Sequence, residues 1–349
     1  MEFVTDYGLF LAKSATIVIA ILVVVGSIAS IAIRQKKAAE SEIQITLLNK
    51  EYEHMETILD SALLGPEAQK QWAKSERKKQ KQIAKQEKKA KKKGHETEHR
   101  KRLFVIDFHG DIRASATEAM RHEISAILTN ATEKDEVMVR LESGGGVVHG
   151  YGLAASQLQR IRDHGIPLTI SVDKVAASGG YMMACVANHI IAAPFSIVGS
   201  IGVLAQIPNV HRLLKKNEVD FEQLSAGEYK RTLTVFGENT DKARKKLQQE
   251  LEETHQHFKD FIKSQRPDLY IDQVATGEHW LGTKALELGL VDRLQTSDDY
   301  LMESRKDSDM IHLEYVRKKK ISERIASIFS STLNAKEESL RDLEKPMLM

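Results

Sequence analysis

From Leu103 onward, short apolar runs alternate with stretches of helical periodicity, and that alternation constrains the fold more than any other feature of the chain. LFVIDF (103–108), EVMVRLE (136–142), PLTISV (167–172) and HIIAAP (189–194) read as strands. Between the first two, 115–131 carries Met120, Ile124 and Ile127 at helical spacing, and Ser115 with Glu118 has the form of a capping box. Residues 150–164 and 178–188 read as two further helices. Strands alternating with helices imply βαβ units around a mainly parallel sheet. Right-handed crossovers then gather the strand-to-helix turns on one edge, where sites lie. Residues 181–207 are apolar enough to suggest a membrane span, but Asn188, His189, Pro194, Gly199 and Gly202 interrupt them. A buried helix with strands is the better reading. Farther on, 241–262 is a charged helix with Leu247, Leu251, Phe258 and Phe261 on one side and Thr240 as its N-cap. ISERIASIF (321–329) is amphipathic. It can dock on the body or contact a neighbouring subunit or a membrane surface.

The N-terminal third has a different texture. Ser14 to Ile33 is a run of twenty residues without a charge, enough for a helix of about 30 Å, the thickness of a bilayer's hydrocarbon. Glu2 and Asp6 accompany Lys13 ahead of it, and the small-x-small triplets fall inside the run. A retained anchor therefore fits better than a cleaved signal peptide. The net charge of +2 hides an asymmetry: fifteen Lys and Arg lie between 70 and 102 against four acids, so the rest of the chain is acidic by nine charges. Basic flanks favour the cytoplasmic side. The arm can be a solvated, helical or flexible spacer, or it can lie on anionic lipid. Trp72 is its one aromatic, so the stacking platforms of nucleic-acid binders are missing. These shifts divide the chain into a tail and anchor (1–37), a basic arm (38–102), a catalytic domain (103–300) and a C-terminal extension (301–349).

Cys185 is the sole cysteine, which excludes an internal disulfide and disfavours a thiolate metal site. His95-Glu96-Thr97-Glu98-His99 matches H-E-x-x-H in form, but it lies in a lysine-rich stretch without an apolar face and reads as a chance match. We expect no metal and no cofactor.

Two glycine-rich turns carry the chemistry. Ser143-Gly144-Gly145-Gly146 directly follows a strand, and Ala176-Ala177-Ser178-Gly179-Gly180 opens a helix. A hydroxyl at such a turn projects outward, and neighbouring N–H groups converge on one locus, as an oxyanion hole requires. Either turn alone also fits a tight connection eased by glycine. Neither completes G-x-S-x-G, a dinucleotide fingerprint or a P-loop. A serine nucleophile needs a base. His149 and His189 are candidates with no acid to pair them. Lys230, in SAGEYK, is the other, since desolvation lowers a lysine's pKa from about 10.4 towards the range of a general base. A surface lysine in a loop is equally compatible with this pattern.

SGGGVVHGYG, AASGGYMMA, APFSIVGSIGV, SAGEYK and ATGEHWLGTKALELGLVD occur in that order. Together, from about Leu103 to Leu294, they resemble the signal peptide peptidase A family of membrane serine proteases. The resemblance implies an α/β fold of the Clp-protease/crotonase type, built from stacked ββα units and here preceded by one transmembrane helix and a basic helical arm. It makes Ser178 the nucleophile, Lys230 the general base and Ser200 the hydroxyl that orients Lys230. Gly179 and the turn Gly144, Gly145, Gly146 would supply the oxyanion hole. Family members often have proline in the first turn, where Gly144 here follows Ser143. The resemblance also implies a homo-oligomeric ring, a dyad that can be shared between subunits, peptide or unfolded-protein substrates, and a bacterial inner membrane. Peptidases of this family can face the side opposite to the one that the charge rule indicates. Two other classes share such a fold: a crotonase-type acyl-CoA enzyme, which gives Ser178 and Lys230 no role, and a non-catalytic membrane scaffold.

Overall fold

A computed structural model describes residues 42–65, 75 and 100–316. The apolar run 14–33, residues 66–74 and 76–99 of the basic arm, the H-E-x-x-H match and the amphipathic stretch 321–329 lie outside the described residues. Among the described residues no helix is long and apolar enough to cross a membrane. Residues Ile45–Glu314 form one compact unit.

In chain order the elements are β1 (Glu42–Leu47), α1 (Leu48–Leu63), β2 (Lys101–Gly110), α2 (Thr117–Leu128), β3 (Glu136–Ser143) and α3 (Val148–Asp163). Next come β4 (Leu168–Val172), β5 (Val175–Ala177), α4 (Gly179–Ala184), β6 (His189–Ala192), β7 (Ile197–Gly199) and α5 (His211–Lys216). The last are α6 (Asp241–Gln265), α7 (Ile271–Val274), β8 (His279–Leu281), α8 (Gly282–Glu287), β9 (Arg293–Leu294), α9 (Ser297–Ser304) and β10 (Ser308–Val316). The main sheet runs β1-β10-β2-β3-β4-β6-β9, and every pairing from β10 to β9 is parallel. Parallel strands are covered on both faces, which is why β3 and β4 are buried along almost their whole length.

One departure from a flat sheet creates the site. β4 and β5 are separated only by Asp173 and Lys174, yet β4 pairs with the middle of β3 while β5 pairs with its last residue, Ser143. Asp173 fixes this bend by accepting from the Ser297 N–H at 2.8 Å and the Ser297 hydroxyl at 2.5 Å. Beyond the bend β5 pairs with β7 in parallel, and β7 with β8 antiparallel, forming a short branch off the main sheet. The ends of β3, β5 and β7 then lie side by side, neighbouring strands being about 4.8 Å apart.

Several expectations shift. The helix expected at 115–131 starts at Thr117, and Ser115 does not cap it: its hydroxyl donates to Asp111 instead, at 2.7 Å. The helix expected at 178–188 is a buried turn and a half, Gly179–Ala184. Thr240 does cap α6, accepting from the Ala243 N–H at 3.2 Å. Leu48 of α1 joins the core cluster of Leu103, Val105 and Met310, position 300 falls inside α9, and β10 lies beside β2. Within 181–207 the buried helix and strands expected there are present, with Tyr181, Ile190, Ile191 and Val198 fully covered, but 204–207 is irregular and exposed.

Candidate active site

Ser178 is the first residue after β5 and stands immediately before α4, at φ +52° and ψ −118°. A residue with a β-carbon is strained there by about 1–3 kcal/mol and stays only where its surroundings hold it. Two hydrogen bonds do so. The Ser178 N–H donates to the Gly199 carbonyl at 2.7 Å, and its carbonyl accepts from the Met182 N–H at 3.0 Å. Ser200 is the matching residue after β7, also at φ +52°, and its N–H donates to the Glu278 carbonyl at 2.7 Å. The register Ala177↔Gly199 sets Ser178 and Ser200 level on adjacent strands.

On the other side stands the first glycine turn. Gly145 has φ +86°, and a β-carbon there would come within 2.7 Å of the Ala177 carbonyl and the Gly179 nitrogen and 2.8 Å of Ser178 Cβ. Only glycine lets the two turns approach this closely. The Gly145 N–H donates to Ser143 Oγ at 3.1 Å. Of the three glycines expected to offer an oxyanion donor, Gly145 thus has its N–H turned to its own turn, which leaves Gly144 and Gly146. The Gly179 N–H opens α4, where the first N–H groups have no partner within the helix.

Ser178, Ser200, Gly179 and the three glycines all line one cavity of about 1000 Å³. Its far wall is α6, through Thr254, His257, Phe258 and Phe261. Tyr151 lies beneath it, fully buried. Burial pushes the Tyr151 phenol up, partly offset by its bond with Ser143, so the hydroxyl keeps its proton.

Lys230 is not in this group. It sits in an exposed turn, its N–H donating to the Gly227 carbonyl at 3.1 Å, and it does not line the cavity. Its neighbour Tyr229 lies 5.5 Å from the Lys246 ammonium. Lys246 and Phe258 are twelve residues apart, about 18 Å along α6. The segment from Gly202 to Thr240 that carries Lys230 is largely exposed, with Leu204 77% and Leu224 96% accessible.

The sequence model described as "Peptidase family S49 N-terminal" matches residues 2–158, and the model described as "Peptidase family S49" matches residues 160–310. The chain belongs to peptidase family S49. Among curated S49 relatives, a protein named "Probable protease SohB" from Haemophilus influenzae is 53% identical over 322 residues, covering 92% of this chain and 91% of its own. A protein of the same name from Buchnera aphidicola subsp. Acyrthosiphon pisum is 48% identical, covering 96% of both. A solved membrane-bound stomatin-specific protease in complex with a substrate peptide aligns at 16% identity and a TM-score of 0.37, over 58% of this chain and 80% of its own.

The histidines considered as bases do not reach this cavity. His149 is exposed, and His189 begins β6, beside Asp292 at 3.8 Å; neither lines the cavity. Sequence reasoning missed Tyr151 and the α6 wall. Phe258 and Phe261 were legible as an apolar helix face, but nothing in the sequence said that the face covers Ser178. Among the described residues no cluster of three metal-ligating side chains occurs.

Proposed function

We propose that the chain is a membrane-anchored serine endopeptidase in which Ser178 is the nucleophile and Lys230 the general base. The observation that carries this reading is the strained backbone of Ser178 at the end of β5, opposite Gly145 and at the head of α4. Strain of this kind persists where it aims a side chain. Ser178 attacks a peptide carbonyl, and the negative charge that develops on the oxygen meets the Gly179 N–H and an N–H from Gly144 or Gly146. Lys230 takes the hydroxyl proton and returns it to the leaving amine; water then hydrolyses the acyl-enzyme. Ser200, level with Ser178, orients the lysine amine. The apolar cavity suits peptides with small or apolar side chains from membrane-derived or unfolded chains.

Lys230 must arrive at Ser178 for this to work. Its exposed segment carries uncovered Leu204, Leu213, Leu224 and Phe236, which favours burial against another subunit. We read the working form as a homo-oligomer of Clp-protease/crotonase-type subunits in which the segment from Gly202 to Thr240 of one copy covers the Ser178 cavity of the next. Packing among apolar side chains there disfavours the ammonium form of a lysine and makes it a base. Residues 14–33 hold the assembly in the bacterial inner membrane, and the basic arm lies between anchor and body, where anionic lipid can attract it.

The test is hydrolysis of a fluorogenic apolar peptide by the full chain in detergent, beside Ser178→Ala and Lys230→Ala. Both variants should be folded and inactive while the parent cleaves. A folded, oligomeric parent that cleaves none of a varied peptide set would return the scaffold reading.

A further inference from the structure

We infer that Tyr151 is a positioning residue for the reaction at Ser178, holding one half of the oxyanion frame through a buried hydroxyl chain and the other half through its ring. The inference rests on the peptidase reading above. Tyr151 belongs to the first turn of α3 and has no exposed surface, yet it carries a polar atom into the core. Its hydroxyl donates to the Asp111 carbonyl at 2.8 Å. It also shares a bond of 2.6 Å with Ser143 Oγ. Since the phenol proton is used on Asp111, the Ser143 hydroxyl is the donor in that bond. Ser143 Oγ then has a lone pair free to accept the Gly145 N–H, which it does at 3.1 Å. The relay therefore runs from the Gly145 amide through Ser143 and Tyr151 to Asp111, with one proton for every bond.

The same residue acts on the other half through its ring. A β-carbon on Gly179 would overlap Tyr151 Cγ and lie 2.7 Å from Cδ2, so the Gly179 backbone packs directly against the ring. The ring sets the position of the Gly179 N–H, while the hydroxyl sets the turn that carries Gly144 and Gly146. The loop that receives the relay also holds the far side of that turn, because the Val147 N–H donates to the Ile112 carbonyl at 2.9 Å. Breaking a buried chain of this kind leaves partners unsatisfied, and the turn must move to find new ones. Tyr151 itself touches no reacting atom.

The test compares the full-length parent with Tyr151→Phe, Ser143→Ala and the double variant. Phenylalanine keeps the ring under Gly179 and removes only the hydroxyl. We expect kcat for peptide hydrolysis to fall about 10–100-fold in each single variant with KM unchanged, the scale of loss for a misplaced catalytic frame. The double variant should lose no more than the worse single one, because both residues act through one chain. Hydrogen exchange should quicken over residues 143–148 in each. A folded Tyr151→Phe with parental kcat, whatever its melting temperature, overturns the inference and leaves the peptidase reading intact. Exchange over 143–148 that matches the parent overturns it too. A parent that cleaves no better than Ser178→Ala overturns the peptidase reading, and this inference with it.

Discussion

The backbone N–H of Ser178 donates to the carbonyl of Gly199 at 2.7 Å, which locks the strained turn after β5 to the residue just before a second strained serine, Ser200. The conformation is held by its neighbours and is not one that serine favours. Glycine adopts φ +52° without a steric penalty, and alanine does not. Ser178→Gly should therefore be more stable than Ser178→Ala by about 1 kcal/mol, though both are inactive. Urea denaturation of the two variants checks this, and equal stabilities would contradict the strained assignment.

The glycines around the site differ in what they tolerate. Gly145→Ala places a methyl against the Ala177 carbonyl and Gly179 nitrogen at 2.7 Å, at φ +86°, and Gly179→Ala drives one into the Tyr151 ring. Each should abolish activity and cost about 2 kcal/mol or more of stability. Gly152, on the same helix as Tyr151, has open space where its β-carbon would sit. Gly152→Ala should stabilise by about 0.5–1 kcal/mol and leave hydrolysis unchanged. Thermal melts with parallel peptide assays separate the two groups.

How much of this was legible in the sequence follows from element length and chemistry. β2 announced itself by a short apolar run, and β3 and β4 by apolar residues that recur along the strand. The branch of β5, β7 and β8 did not, since each has only three residues, too few to show a period. Ser115 misled because a hydroxyl near a helix start can bond to Asp111 as readily as to the helix. Ser178 was legible from its glycine turn and Ser200 only from the family resemblance; both line one cavity. Lys230 was named from the family motif, but sequence order says nothing about which surface a long exposed segment covers. Tyr151 was unreadable, because a tyrosine on a helix's inner face looks like any core residue until its hydroxyl partners are seen.

Acid stability has a readable source at the opposite end of β2. Asp135 accepts from the Arg102 guanidinium at 2.6 Å, the Arg102 N–H at 3.0 Å and the Thr132 N–H at 2.8 Å. Burial raises its carboxyl, and the bonds from Arg102 and Thr132 more than reverse this, holding it at about 2. The folded value lies below the unfolded one of about 3.9, so its contribution is fully present above about pH 4 and is lost as pH falls towards 2. Asp135→Asn should cost about 2 kcal/mol at neutral pH, with a gap that narrows below about pH 4. Denaturation curves at both pH values test this, and a gap independent of pH would contradict it.

If Lys230 serves the neighbouring copy, two inactive chains can complement each other. Ser178→Ala supplies an intact lysine and Lys230→Ala an intact serine. Dissociating and reassembling the two together should restore activity that neither has alone. Mixed oligomers that stay inactive would mean that each chain completes its own site, with the segment from Gly202 to Thr240 folding back onto α6.

Both the proposed nucleophile, Ser178, and its proposed activation by Lys230 are open to one direct measurement. A fluorophosphonate probe on the full-length protein, followed by mapping of the modified peptide by mass spectrometry, tests both parts at once. A single phosphonyl adduct is expected on Ser178, formed quickly in the parent and at least tenfold more slowly in Lys230→Ala. An adduct on another serine, or labelling of Ser178 at the parental rate without Lys230, would contradict it.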